Sequence, residues 1–353
     1  MDRDILIVGE FQFNYYEKDF SSTLVKLGVK TYEFRIWNEM RFFNFFLKIE
    51  YHFSFPFIFT ELLYYFVIKR IAKSRSKKPM IIFLWRPTLL NTRLIKKIKA
   101  TLKKDDLLVA YNNDNPFSER YLESNNLHQK YLWRNFKKVV PLFDVSIVYR
   151  PENIRDYADH GAKKVIMFPP GYPNYLENRY QHTPTKYFDV VFIGHYEKKR
   201  LDYINALLEA GIDVKIYGPG WKITEFTKGK YRYDSIAPIY GYDYYDILSK
   251  SKVSLCFLSE LNKDVYTRRT FEIPICNTVM VSERTKAISQ LFEEGREVLL
   301  FNTKKELIDK VSTLLKNPQL EQSIRTSGRK AAIKKGYSLQ SRVFHLLKEL
   351  NNL

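Results

Sequence analysis

Short apolar runs recur along the whole chain, each closed by a polar or glycine turn and followed by a stretch with helical spacing. Ile5–Val8, Tyr32–Ile36, MIIFLW at Met80–Trp85, LLVAY at Leu107–Tyr111, Val145–Tyr149 and Val165–Phe168 read as strands. Helical patterns such as Leu89–Leu102 fill the gaps between them. Strands alternating with helices imply a parallel sheet and an α/β fold.

The stretch 169–186, PPGYPNYLENRYQHTPTK, is punctuated by Pro, Asn and Gly and reads as a linker. A second series then starts afresh. Asp189–Ile193, Val214–Tyr217, Val253–Leu258, Thr278–Val281 and Val298–Phe301 read as strands, and three helical segments finish the chain. A length of 353 residues fits two domains. The expected division is 1–175 and 176–335, with 336–353 as a C-terminal helix returning to the first domain. In open parallel sheets, ligands bind beyond the carboxyl ends of the strands. Motifs just after strands therefore carry the functional reading.

Composition narrows the partners. Lys and Arg total 58 against 39 Asp and Glu, a formal charge of +19, with 16% aromatic residues. This balance points to nucleic acid, an anionic membrane face or a phosphate-bearing substrate. Two cysteines, Cys256 and Cys276, exclude a disulfide framework and a cysteine-based zinc site, and both read as reduced core residues. The N-terminus does not read as a secretory signal, and no apolar stretch approaches the roughly 20 residues of a spanning helix. The expected location is cytoplasmic, peripheral on the inner face of the cytoplasmic membrane.

Three motifs follow strands. In FIGHYEKKR, residues 192–200, Gly194 turns the chain and His195, Lys198, Lys199 and Arg200 lead into a helix. A glycine turn feeding a helix N-terminus beside cations suits a diphosphate, and it also suits an ordinary strand-to-helix turn. In IYGPGW, residues 216–221, Gly218 and Gly220 flank Pro219, either to admit a ligand or as a plain turn. In DVYTRRTFEIPICNTVMVSE, residues 264–283, Arg268 and Arg269 open a helix that carries Glu272. Arginine suits phosphate oxygens and a carboxylate one turn on suits a ribose diol. The plainer alternative is an Arg–Glu ion pair on a helix surface.

The span from about Tyr187 to Leu347 resembles the C-terminal domain of CgeB-like glycosyltransferases, a branch of the GT-B fold. DVVFIGHYEKKR, VKIYGPGW, YYDILSKSKVSLCF, RRTFEIPICNTVMVSE and LFEEGREVLLF carry the resemblance in order. YNNDNPF and GAKKVIMFPPGYP resemble the N-terminal domain more loosely. The resemblance implies α/β GT-B architecture, two Rossmann-like domains facing a central cleft. It implies a nucleoside-diphosphate sugar as substrate, with no cofactor and no metal. Glu272 then matches the ribose-holding glutamate, and Arg268 and Arg269 lie on the diphosphate side. Gly194 and its basic neighbours, Arg200 among them, form the loop facing the donor phosphates, with Gly218 on the donor side and His195 placed to meet either donor or acceptor. Asp264 stands eight residues before Glu272, where many retaining relatives carry Glu, and Asn277 stands where the family usually has Gly.

An inverting reaction needs a general base near the acceptor hydroxyl. Asp114, after the fourth strand, is the first candidate, although N-D-N-P is also a strong turn sequence. Glu10, after the first strand, is the second. Residues 41–70 hold twelve Phe or Tyr, and residues 69–104 hold thirteen Lys or Arg without an acid. That combination suits an interfacial membrane site over 41–104, or a core helix pair with a solvated basic face. The expected function is sugar transfer to a glycan or lipid-linked acceptor in bacterial surface polysaccharide synthesis, lipopolysaccharide included. The alternatives are a basic nucleic-acid-binding protein and a non-catalytic GT-B scaffold at the membrane.

Overall fold

The computed structural model describes residues 3–11, 16–53, 58–87, 91–119, 127–182, 185–222 and 236–353. The chain divides into two compact units. The first holds Met1–Pro169, Glu260–Lys263 and Gln340–Leu353, and the second holds Pro170–Ser259 and Asp264–Leu339.

The first unit is built on six parallel strands: β1 (Asp4–Gly9), β2 (Thr31–Arg35), β3 (Met80–Trp85), β4 (Leu107–Asn112), β5 (Val145–Val148) and β6 (Val165–Met167). Their order is β2-β1-β3-β4-β5-β6. The chain therefore runs outward from β1 to β2, then reverses to β3 on the other side of β1. Ile5, Leu6, Ile7 and all of Met80–Phe83 are fully buried, so the central strands are covered on both faces, as continuous apolar runs require. The last helix, Leu339–Asn351, belongs to this unit from Gln340 onward, and Arg3 Nη1 donates to the Leu350 carbonyl at 2.7 Å.

The second unit repeats the pattern with β7 (Phe188–Ile193), β8 (Val214–Tyr217), β9 (Ser251–Cys256), β10 (Val279–Glu283) and β11 (Leu299–Phe301) in the order β11-β10-β9-β7-β8. Every pairing is parallel, and the order reverses between β7 and β9. Cys256 and Cys276 are free and buried, as expected.

One expectation about the chain gains detail and another changes. The change of unit falls at Pro169 and Pro170, inside the 169–186 stretch read as a linker, and the first part of that stretch is packed. Tyr172 is fully buried, donates its N–H to the Tyr337 carbonyl at 3.2 Å and accepts from Leu339 N at 2.8 Å. A Cβ on Gly171 would lie 2.7 Å from Leu339 N, so this glycine is fixed by backbone contact. Helix Tyr175–Arg179 then forms inside the same stretch. The helix expected over Leu89–Leu102 is shorter, Thr92–Lys99, because the Asn91 side chain caps it by accepting from Leu94 N at 2.9 Å.

Candidate active site

In the second unit the expected residues gather at the carboxyl ends of β7 and β9, where the strand order reverses. The Arg269 guanidinium bridges those ends: Nη1 donates to the Ile193 carbonyl at 2.7 Å and Nη2 to the Phe257 carbonyl at 3.2 Å. Gly194 has no room for a side chain, since a Cβ there would sit 2.6 Å from Arg269 Nη1. Gly218, at φ +144°, is packed on Gly194 so closely that a Cβ would lie 1.9 Å from the Gly194 oxygen. Trp221 Nε1 donates to that same oxygen at 2.8 Å, and Gly194 N donates to Tyr217 O at 2.9 Å. The two glycine motifs are therefore one corner, and the close backbone approach that they permit is first of all to each other.

Arg200 completes this corner. It is buried, donates from Nη1 to the His195 carbonyl at 2.9 Å and pairs with Glu197 at 2.6 Å. Burial, followed by the Arg269 charge, pushes its guanidinium down to about 10. His195 is held below the ordinary imidazole range by desolvation, then by Arg200 and Arg269. Asp264 is half-buried and adds negative potential at both arginines. The Nε atoms of Arg200 and Arg269 are buried without a hydrogen-bond partner. The corner is thus cationic, with donors to spare.

Arg268 and Glu272 turn the other way. Arg268 Nε pairs with Glu272 Oε1, and Arg268 Nη2 donates to the Tyr245 hydroxyl at 3.2 Å. The Tyr244 and Tyr245 hydroxyls each donate to Glu272 at 2.9 Å. The Arg–Glu pair considered from sequence does form, but buried, with the Glu272 side chain 4% exposed. Arg268 thereby separates from Arg269, which alone of the two reaches the strand ends. Burial and then the Glu272 charge hold both phenols well above their ordinary range, so they stay protonated donors. Asn277 lies at φ +61°, the left-handed region that favours glycine.

Sequence reasoning missed Tyr244, Tyr245 and Glu283. Glu283, at the end of β10, accepts from Leu258 N at 2.7 Å and pairs with Lys199 at 2.5 Å. Its position at the carboxyl end of a strand was the available signal.

In the first unit, Glu10 and Asp114 also lie just past strand ends, around the reversal between β1 and β3. Asp114 pairs with Arg86 Nε at 2.8 Å and donates its N–H to Asn112 Oδ1 at 3.0 Å. It is therefore both a turn residue, as N-D-N-P suggests, and a member of a charged group. Glu10 accepts from Trp37 Nε1 at 3.4 Å. Glu17, unmarked in the sequence reading, is buried beside Gly9 and accepts from Phe11 N at 3.4 Å. Its carboxyl is raised above the usual range, mainly by burial. Phe11, two residues past β1, and Arg86, directly after β3, adopt φ values of +52° and +51°. Such strain in bulky residues costs ~1–3 kcal/mol each and collects at functional sites. A cavity of about 40 Å³ opens here, lined by Glu10, Trp37, Arg86, Leu47, Leu63 and Tyr64 among others.

Among the described residues, no His, Cys, Asp and Glu group could hold a metal ion, and no helix is long and apolar enough to cross a membrane.

No curated protein sequence matches the chain. Solved structures do. Sucrose-phosphate synthase from Thermosynechococcus elongatus is similar with a TM-score of 0.65 at 10% identity, over 99% of this chain and 98% of that one. A UDP-forming α,α-trehalose-phosphate synthase from Burkholderia vietnamiensis gives 0.60 at 12% identity, over 99% and 100%. A variant of S. aureus TarM, solved in complex with fondaparinux, alpha-GlcNAc-glycerol and UDP, gives 0.56 at 13% identity. There the match covers 82% of this chain, which spans 59% of TarM. The two doubly wound parallel sheets have the fold of the GT-B glycosyltransferases, and residues 200–348 match the family described as glycosyl transferase-like.

Proposed function

We propose that the protein transfers a sugar from a nucleoside-diphosphate sugar to a hydroxyl of a glycan or lipid-linked acceptor, without a metal ion. The observation that carries this reading is the Arg269 guanidinium bridging the ends of β7 and β9 beside Arg200 and the Gly194–Gly218 corner. Arg200, whose charge is disfavoured by burial and by the neighbouring Arg269, gains from a dianion at the reversal point of a parallel sheet. The helix Lys198–Glu209 begins just after Gly194, so its amide end adds to the same potential. His195 contributes a neutral imidazole at the rim.

Glu272 fits the ribose side. A carboxylate has about four lone-pair sites, and Arg268 and the two tyrosines occupy three. In the first unit, Asp114 and Glu10 are the candidate bases for the acceptor hydroxyl, with Arg86 orienting Asp114. The resemblance favours the CgeB-like branch and a role in bacterial surface polysaccharide synthesis at the inner face of the cytoplasmic membrane.

A thermal-shift screen over UDP, GDP, TDP and CMP, with and without EDTA, tests the donor reading. One nucleoside diphosphate should raise the melting temperature through mass action, unaffected by EDTA. No shift with any nucleotide would remove the reading.

A further inference from the structure

Helices Asn44–Phe53 and Ile58–Ser74 present apolar residues outward as well as inward. Their orientation is fixed from beneath. Leu47, Leu63, Tyr64 and Val67 are buried in the core of the first unit. Glu50, also buried, accepts from Phe59 N at 2.9 Å, Thr60 N at 2.7 Å and Thr60 Oγ1 at 2.6 Å, capping the second helix with a side chain of the first. Asn44 Nδ2 donates to the Trp37 carbonyl at 2.9 Å and ties down the start of the first helix.

With that side fixed, Phe42, Phe45, Phe46 and Ile49 fall at helical spacing on the opposite side. They are 79%, 71%, 48% and 39% exposed, and Ile58 is 60% exposed. Phe46 stacks on Phe59 with centroids 4.7 Å apart, and Phe45 meets Phe46 edge-on at 5.5 Å, so the rings form one contiguous surface. Scattered exposed apolar residues need no explanation, but a contiguous aromatic patch marks an interaction site. Its rim is cationic. Arg41 lies over the Phe42 ring at 4.7 Å, and Lys48 is exposed. The one acid between residues 41 and 60 is Glu50, which is buried.

The downstream basic run is a weaker part of this surface than its sequence suggests. Lys97 pairs with Glu61 at 2.5 Å, Lys99 with Asp144 at 2.7 Å and Arg75 with Asp106 at 2.5 Å.

We infer that this aromatic face is an interfacial docking surface for an anionic lipid bilayer, with the phenylalanines entering the headgroup region and Arg41 and Lys48 meeting lipid phosphates. This deepens the proposed membrane contact by naming the face and the lipid charge. The inner side of the same helices supplies Leu47, Leu63 and Tyr64 to the cavity that holds Glu10 and Arg86, which would set the acceptor site beside the bilayer.

The test uses the full chain and sedimentation with vesicles of phosphatidylcholine alone or of phosphatidylcholine mixed with the anionic lipid phosphatidylglycerol. The wild type should sediment with the anionic vesicles. A Phe42→Ser, Phe45→Ser, Phe46→Ser variant should lose binding at least tenfold, and Arg41→Glu with Lys48→Glu should abolish the preference for phosphatidylglycerol. Equal binding by wild type and serine variant would overturn the inference. So would a wild type that ignores both vesicles, or one that instead dimerises through this face in analytical ultracentrifugation. Nucleotide thermal shifts measured on both proteins keep the two readings apart. Vesicle binding without nucleotide binding removes the transferase reading alone, and the converse removes this one alone.

Discussion

Replacing Glu272 with alanine tests how the second unit is held together. The side chain is 4% exposed and its partner Arg268 is 12% exposed, so solvent screens the pair little. Removing one partner of a buried ion pair costs about 3–5 kcal/mol, because the remaining charge is left uncompensated. Tyr244 and Tyr245 each lose an acceptor as well, at about 1 kcal/mol apiece. The expected loss is therefore about 5–7 kcal/mol, a large share of the 5–15 kcal/mol typical of a folded domain. With a urea slope of about 2 kcal/mol/M, the unfolding midpoint should fall by about 2.5–3.5 M. Arg268→Ala and the double variant complete a cycle, in which the coupling should exceed about 1.5 kcal/mol. Any loss of nucleotide affinity should be measured well below the new midpoint, where the variant remains folded. A cost under about 1 kcal/mol, or strict additivity of the two single changes, would refute the picture of Glu272 as a buried acceptor for three donors.

Other outcomes follow from single sites. Gly218→Ala should lower the melting temperature by several degrees, since its Cβ would lie 1.9 Å from the Gly194 oxygen; an unchanged melting temperature would contradict the packed corner. Asp114→Asn should reduce turnover at least tenfold once a substrate pair is known, while its partly exposed pair with Arg86 contributes no more than ~1 kcal/mol to stability; normal turnover would leave it a turn residue. Lys186, which donates to the Ser249 and Asn277 carbonyls at 2.6 Å each, is pushed by burial down to about 7. Between that value and its unfolded pKa the unfolded state binds the extra proton. This residue therefore makes stability rise with pH above 7, by up to about 1.4 kcal/mol per unit, a slope that Lys186→Met should remove in urea titrations from pH 7 to 9.

Much of this architecture is written in local patterns. Strand runs such as MIIFLW and DVVFI are apolar over four or more residues and end in polar or glycine turns, so their positions follow from periodicity and burial alone. Placing candidate residues after strands also needed no coordinates, because parallel sheets expose ligands at their carboxyl ends. Asp114, Glu10 and Gly194 all lie there. The aromatic excess over 41–70 was visible too, but its direction was not. Helical spacing marks a stripe without saying which side the core takes, and it is the Glu50 cap with Leu47 and Leu63 that turns Phe42, Phe45 and Phe46 outward.

The sequence by itself determined the two series of parallel strands, the cationic balance and the motifs after the strands, since each depends on neighbours a few residues apart. Tertiary structure decided what those residues meet. Arg268 and Arg269 are adjacent in the chain, yet one guanidinium joins a buried carboxylate and the other bridges two strand ends. Gly194 and Gly218 are 24 residues apart and become one corner because two parallel strands end side by side. The partners of a long side chain are set by packing and strand order, which act over distances that local spacing does not encode.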